Sequence, residues 1–98
     1  MSDSHTILRI EHPVTGYDQW KQAFDADPAG RERMGVRRYQ VLRQVDDPNY
    51  VMIDLEFDSR REAEGLLAAM RAIWRQAGHQ VSSNQQVRMA EAVEQQEY

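Results

Sequence analysis

The sequence of 98 residues contains no cysteine and no long apolar run. Without cysteine there can be no disulfide framework, no thiol nucleophile and no thiolate-bound zinc, and such a chain fits a reducing compartment. No stretch approaches the ~20 apolar residues of a membrane-spanning helix, and the first residues lack the basic and apolar regions of a signal peptide. We therefore expect a cytoplasmic protein with no membrane partner.

The sequence also lacks an excess of positive charge. Its 12 lysines and arginines are outnumbered by 16 aspartates and glutamates, which gives a formal net charge of −4. Because binding to nucleic-acid phosphates needs a clustered cationic surface, no nucleic-acid partner is expected. The one basic run consists of Arg31, Arg33, Arg37 and Arg38 and also contains Glu32. This run is the one place in the sequence where a nucleic-acid or anion site could lie. Because it has no interleaved aromatic residues and contains Glu32, we favour a solvated face or interfacial ion pairs.

Several catalytic motifs are missing as well. The sequence has no glycine-rich nucleotide loop, no G-x-S-x-G elbow and no H-E-x-x-H helix. Dinucleotide, phosphate-loop, serine-hydrolase and zincin chemistry therefore lack support. The three histidines are scattered without metal-ligand spacing, so the sequence predicts no metal site and no cofactor.

The first third of the chain predicts a strand followed by a helix. Apolar and polar residues alternate over 6–12, which is typical of a strand. Residues 15–18 have the spacing of a capping box, and residues 17–25 have helical periodicity. Asp27-Pro28 then resembles the start of a short second helix, which Gly35 ends.

The remainder predicts a hairpin, a long helix and a last strand. Residues 36–45 and 50–57 are strand-like and flank an Asp-Asp-Pro-Asn turn signal. Residues 59–62 form a full S-x-x-E capping box, and apolar residues at helical spacing continue from Ala63 to Ala77. Residues 87–93 are predicted to form the closing strand.

This order of elements predicts a single α+β domain over residues 1–98. Apart from the short second helix it is the split βαβ pattern, in which a four-stranded antiparallel sheet carries both helices on one face. The other face would mix apolar groups with opposite charges, which favours packing against a second copy of the chain. The residues predicted on this open face are Ile7, Arg9, Glu11, Arg37, Arg43, Met52, Asp54 and Glu56. We predict that its charges pair across the dimer.

Three features resemble one superfamily: the Tyr-Asp-x-Trp-Lys-x-x-Phe segment at 17–24, the Asp-Asp-Pro-Asn turn and the amphipathic last helix. Together, over residues 6–93, they resemble the ferredoxin-like dimeric α/β-barrel superfamily and its antibiotic-biosynthesis-monooxygenase-like proteins. The resemblance implies a homodimer whose sheets close into a barrel, with a ligand cavity between sheet and helices. Relatives include cofactor-independent oxygenases, polyketide cyclases and haem-degrading enzymes, so the fold does not define the reaction.

Two kinds of relative differ from this sequence in their site residues. Haem-degrading relatives combine an Asn on the first strand with a Trp and a His near the last helix. Trp74 and His79 resemble the latter pair, but the first strand contains no Asn. Quinone-forming oxygenases use Asn, Trp and Tyr or Arg around a phenolic substrate, and Trp74 and Tyr39 supply part of that set. Haem degradation is therefore disfavoured, and the oxygenase interpretation stays open.

Four aromatic residues are the candidate ligand-binding residues. Tyr39 is predicted on the helix-facing side of the sheet, and Trp20, Phe24 and Trp74 on the helices above it. They would suit a flat apolar or aromatic molecule, because ligand pockets combine apolar walls with a few polar groups. The alternative is that these aromatic side chains only fill a thin core.

Two histidines are the candidate catalytic residues. His79 follows the end of the last predicted helix, where an imidazole can act as a general base. His12 is predicted on the helix-facing side of the first strand, where it could titrate near neutral pH. The alternatives are that the helix dipole merely stabilises His79 and that His12 only ends a strand.

The sequence thus leads to two hypotheses of different class. In the first, a homodimer binds an apolar or aromatic small molecule between sheet and helices and, if catalytic, performs a cofactor-independent oxygenation or a cyclase-type step. In the second, the dimer is a non-catalytic ligand-binding or structural module. A cavity with a titratable group would favour the first, whereas a space filled by Trp20, Phe24 and Trp74 would favour the second.

Overall fold

The structure is a computed structural model that describes residues 5–77 and 85–98. Four strands and two helices follow one another in the order β-α-β-β-α-β. Their bounds are β1 His5–Pro13, α1 Tyr17–Ala26, β2 Val36–Gln44, β3 Asp47–Phe57, α2 Arg60–Ala77 and β4 Gln86–Ala92.

The strands form one sheet in the order β2-β3-β1-β4. Every pairing is antiparallel, with Leu8 of β1 opposite Leu55 of β3 on one side and opposite Met89 of β4 on the other. Since both helices contact the same sheet, this is the ferredoxin-like α+β fold, and the prediction of fold class is confirmed.

The hydrophobic core lies between the helices and one face of the sheet. Alternate residues of β1 and β3 point to this side, and Leu8, Ile10 and Leu55 are fully buried there. From α2, Ala63 and Leu66 are also fully buried and pack against them.

The start of α2 follows the predicted capping box. The Ser59 hydroxyl oxygen accepts a hydrogen bond from the Glu62 backbone N–H at 3.2 Å. The same hydroxyl donates a hydrogen bond to the Glu62 carboxylate, also at 3.2 Å. This cap satisfies one of the free N–H groups of the first turn, and Glu62 adds a negative charge where the helix dipole favours it.

The region around α1 differs from two predictions. Gly16 is the N-cap and provides no side-chain cap, so the predicted capping box at 15–18 is not formed. The short second helix is also absent, because residues 28–35 form turns. Its predicted N-cap, Asp27, instead ends α1 in a left-handed conformation with φ 53°, and Gly30 at φ 73° interrupts any helical path.

We call the side of the sheet away from the helices the open face. Two β2 residues predicted on this face, Arg43 and Arg37, do not lie there. Arg43 pairs with Val51, a buried residue of the helix-facing side, and its guanidinium lies 4.4 Å from the ring centre of Tyr17 on α1. Paired side chains of an antiparallel ladder lie on one side, so Arg43 faces the helices.

Arg37 is absent from the open face for a different reason. The ladder shifts register between Val36 and Arg38, so Arg37 lies at an irregularity and pairs with Asp58, Nη2 to Oδ2 at 2.6 Å. The β2 residues that the register places on the open face are Arg38, Gln40 and Leu42.

Charged groups of the open face pair with one another within the chain. Arg9 donates two hydrogen bonds to Asp54, Nε to Oδ1 and Nη2 to Oδ2, both at 2.7 Å. This contact holds the pKa of Asp54 below its ordinary 3.8 and raises that of Arg9. The Tyr50 hydroxyl donates to Glu11 at 2.8 Å. The prediction that these charges pair across a dimer is therefore not needed to explain them.

Candidate functional site

A cavity of about 140 Å³ lies between the helix-facing side of the sheet and the two helices. Its wall comes from β1, β3, both helices and the turn after α1, and it is almost entirely apolar. The lining residues are Ile10, His12, Trp20, Ala23, Phe24, Asp27, Pro28, Ala29, Arg31, Ile53, Leu55, Leu66, Met70, Ile73 and Trp74.

One wall of this cavity is a row of aromatic rings. Trp20 and Phe24 are four residues apart on α1, which places them on one side of the helix, and their rings stack with centres 5.2 Å apart. The ring of His12 meets Trp20 edge-on at 6.2 Å. At the other end of the row, the Arg31 guanidinium lies 3.9 Å from the ring centre of Phe24. The row therefore has an imidazole at one end and a guanidinium at the other.

His12 is the buried titratable group of the cavity wall, with only 3% of its surface exposed. Its Nδ1 lies 3.1 Å from the Pro13 carbonyl oxygen. Because a carbonyl only accepts, Nδ1 carries the proton and Nε2 keeps its lone pair in the neutral ring. Burial lowers the pKa of His12 from its ordinary 6.5, and the hydrogen bond to Pro13 offsets part of this effect. His12 is therefore a neutral imidazole with one free basic nitrogen.

The structure brings together most of the sequence-predicted site residues. His12, Trp20, Phe24 and Trp74 all line the cavity. Trp20, Phe24 and Trp74 pack against the core and also form part of the cavity wall. His79 lies outside the described residues.

Tyr39 lies on the helix-facing side as predicted but does not line the cavity. Its ring meets Phe24 edge-on at 5.2 Å, and 45% of its surface is exposed. It borders a neighbouring surface depression, whose wall also includes Asp27 and Arg31. Asp27 and Arg31 line both spaces and so separate the cavity from this depression.

The sequence analysis considered Arg31 only as part of the basic run and did not place it in the cavity wall. Its side chain is only 15% exposed, so it is not part of a solvated face. Arg31 Nη1 donates to the Phe24 carbonyl oxygen at 2.8 Å and lies 3.6 Å from Asp27 Oδ1, while the Arg31 backbone N–H donates to that oxygen at 2.9 Å. The spacing of four residues between Asp27 and Arg31 was the sequence signal for their contact. It could not indicate that the turn after α1 places Arg31 over Phe24, because that contact depends on the tertiary structure.

Two further properties bear on the nature of the site. Among residues 5–77 and 85–98, histidine and acidic side chains nowhere come together in a group of three that could hold a metal ion. In the same ranges, no helix has the length and apolar character to cross a membrane.

Neither a model of a known protein family nor a curated protein sequence matches this chain. Solved structures do match over nearly the whole length. A variant of SnoaB, a cofactor-independent oxygenase from Streptomyces nogalater, is 17% identical with a TM-score of 0.73, and the match covers 96% of this chain and 97% of that one.

Two further structures extend the comparison. A candidate antibiotic biosynthesis monooxygenase from Nitrosomonas europaea is 15% identical with a TM-score of 0.70, covering 95% of this chain and 93% of that one. A dimeric ferredoxin-like protein from an uncultured marine organism is 6% identical with a TM-score of 0.67, covering 98% and 94%. The chain thus has the ferredoxin-like fold of antibiotic-biosynthesis-monooxygenase-like proteins, as its sequence predicted.

Proposed function

We propose that this protein binds a single-ring, electron-rich phenol in the cavity and oxygenates it without a cofactor, with His12 as the base. The observation that carries the proposal is a buried, neutral imidazole at the end of a stacked aromatic wall. The likeness to a cofactor-independent oxygenase supports the reaction type.

The size of the cavity supports a small substrate. A volume of about 140 Å³ is close to the ~150 Å³ of an engineered apolar cavity that accepts benzene. One ring fits such a space beside Trp20 and Phe24, whereas a fused multi-ring molecule does not fit without movement of the walls.

The reaction needs only what the substrate, O₂ and one base supply. His12 Nε2 takes the hydroxyl proton, and the phenolate then transfers an electron to O₂. The resulting carbon radical and superoxide combine into a peroxide at a ring carbon that bears a hydrogen. This peroxide recovers the proton from His12, and its O–O bond breaks as water leaves with the ring hydrogen, which gives a quinone and regenerates the neutral base. One phenol and one O₂ thus give one quinone and one water, so no external reductant is consumed. An apolar wall excludes water from the reactive intermediates.

Assembly and location complete the proposal. We propose a homodimer joined through the open face, forming a dimeric α/β barrel, because that face combines Ile7, Met52 and Leu42 with ion pairs. The similar structure described as a dimeric ferredoxin-like protein supports a homodimer. A cytoplasmic site of action is supported by the absence of cysteine.

Ligand binding is tested by tryptophan fluorescence, because both tryptophans of the chain line the cavity. We expect para-nitrophenol to quench this fluorescence saturably. Ala23→Leu narrows the cavity and should weaken binding, whereas Ala68→Leu, an equally exposed helical alanine outside the wall, should not. Equal binding by the two variants would contradict the site.

Catalysis is tested by O₂ uptake with resorcinol and by transfer of isotopically labelled oxygen into the product. His12→Gln should slow uptake by at least ~100-fold, which is typical for loss of a general base, and should weaken binding, as reported by quenching, far less than it slows the reaction. His5→Gln is the matched control, since His5 lies on the same strand in the open face. Binding without any O₂ uptake would instead identify a ligand-binding dimer, and native mass spectrometry reports the subunit count.

A further inference from the structure

The cavity has one feature that phenol binding and proton removal do not use, namely the guanidinium of Arg31. It lies on the far side of Phe24 from Trp20 and His12, at 3.9 Å from the Phe24 ring centre. A cation in an otherwise apolar wall is expensive to bury unless it has partners. Arg31 has 15% of its side chain exposed, and its Nη1 is satisfied by the Phe24 carbonyl oxygen.

The remaining donors of this guanidinium are available. Within residues 5–77 and 85–98, the structure pairs Nη1 but gives no hydrogen-bond partner to Nε or Nη2. Asp27 contacts Arg31 only at 3.6 Å, and the same carboxylate oxygen already accepts the Arg31 backbone N–H. A guanidinium that is held in place with free donors is suited to a carboxylate, which it can bind through two parallel hydrogen bonds.

We infer that Arg31 is a specificity-determining residue that anchors a carboxylate on the aromatic substrate. This inference rests on the proposed function and names the substrate class more narrowly, as a phenol with a carboxylate on the opposite side of the ring. We assign the hydroxyl to His12, which contacts Trp20, and the carboxylate to Arg31, which contacts Phe24, because both residues line the cavity.

The position of Arg31 also limits the cost of binding an anion. Arg31 and Asp27 separate the cavity from the open surface depression that Tyr39 borders. A carboxylate at this end keeps contact with solvent while the ring enters the apolar part, so its desolvation is small. Within the described part of the chain, the charged groups that line the depression have both signs, and among them Arg31 is the one that also lines the cavity and has unpaired donors.

The test compares para-hydroxybenzoate with para-hydroxybenzamide, which match in shape and differ in charge. Binding is followed by tryptophan fluorescence or calorimetry. We expect the wild-type protein to bind the carboxylate about tenfold more tightly than the amide, since a charge-assisted hydrogen bond is stronger than a neutral one. Arg31→Gln should equalise the two affinities by weakening the carboxylate alone.

Arg43→Gln is the matched control for this change. The Arg43 guanidinium also lies over an aromatic ring of α1, at 4.4 Å from the Tyr17 ring centre. Unlike Arg31, Arg43 does not line the cavity. Both variants alter net charge equally, so only a local role of Arg31 makes them differ. We expect Arg43→Gln to keep the preference for the carboxylate.

A second variant decides the matter if Arg31→Gln does not fold. Asp27→Asn keeps an oxygen for the Arg31 backbone N–H and suits the left-handed backbone, but removes the competing charge. It should tighten para-hydroxybenzoate severalfold and leave the amide unchanged. Amide binding with no carboxylate preference, or a preference that survives Arg31→Gln, would overturn the role of Arg31 and leave the cavity proposal standing. Failure of both probes to bind would overturn the proposed function itself.

Discussion

The two faces of the sheet differ although the same strands build them. On β1, Leu8 and Ile10 are fully buried toward the helices, while Arg9 between them reaches the open face and pairs with Asp54. Strand alternation therefore divides nine residues into one set that forms a core and cavity and another that forms a charged surface. The two proposed activities, ligand binding and self-association, would therefore use separate side chains.

The two faces also shift pKa values for different reasons. On the covered face, removal from water lowers the pKa of His12. On the open face, hydrogen bonds from Arg9 lower the pKa of Asp54, and partial burial opposes them. The first shift favours a neutral base and the second a charged acid, so the faces should respond to pH in separate ranges.

The largest expected difference concerns packing. Leu55→Ala removes a fully buried side chain of the covered face and should lower the free energy of unfolding by about 2–5 kcal/mol, because it leaves a cavity. Met52→Ala, on the open face of the same strand, should cost about 1 kcal/mol or less. Urea denaturation followed by circular dichroism measures both losses, and equal values would remove the distinction between the faces.

A charge reversal on the open face should act on assembly. Arg9→Glu places a second negative charge beside Asp54 and should weaken the proposed dimer at least tenfold, or about 1.4 kcal/mol. Sedimentation over a dilution series measures this change. The swapped double variant Arg9→Glu/Asp54→Arg restores an opposite pair and should recover part of the association. A dimer that persists unchanged at low concentration would contradict an interface on this face.

On the covered face, acid should destabilise the protein through His12. Because its pKa in the folded state lies below the ordinary 6.5, the unfolded chain binds the proton first as pH falls. The contribution of neutral His12 to the free energy of unfolding is fully present above pH 6.5, and it is lost as the pH falls from 6.5 through the lower pKa of the folded state. Relative to wild type, His12→Gln should lack this loss, whereas His5→Gln should retain it. Thermal melts across this range measure the slope.

The smallest expected effect is the titration of Asp54. Its pKa in the folded state lies below the ordinary 3.8, so its contribution to stability is present above pH 3.8 and is lost as pH falls through the lowered pKa. Asp54→Asn should therefore be less stable than wild type at neutral pH and converge with it in stronger acid. A difference between the two proteins that persists in strong acid would assign the effect to packing instead of charge.

The parts of the fold that local chemistry determines were predictable from sequence. The Ser59-Glu62 cap, the alternation on β1 and β3, and the aromatic spacing on α1 each involve near neighbours, and the structure contains all three. The candidate residues His12, Trp20, Phe24 and Trp74 were found because periodicity assigns a residue to a face.

The remaining features depend on contacts that a local pattern does not contain. The register shift beside Val36 removes Arg37 from the ladder, and the left-handed Asp27 replaces a predicted helix with turns. Those turns carry Arg31 back over Phe24, which made it a cavity residue instead of a solvated charge. Backbone irregularities, more than side-chain preferences, therefore account for the missed part of the site.

The sheet order has a consequence for synthesis of the chain. Strand β1 is made before both of its partners, yet it lies between β3 and β4, and His5 pairs with Ala92. During translation the apolar side of β1 stays exposed until β3 and α2 have been made, whereas the β2–β3 hairpin can form as soon as both of its strands have emerged. We expect the nascent chain to depend on a chaperone or on rapid completion to keep β1 from aggregating.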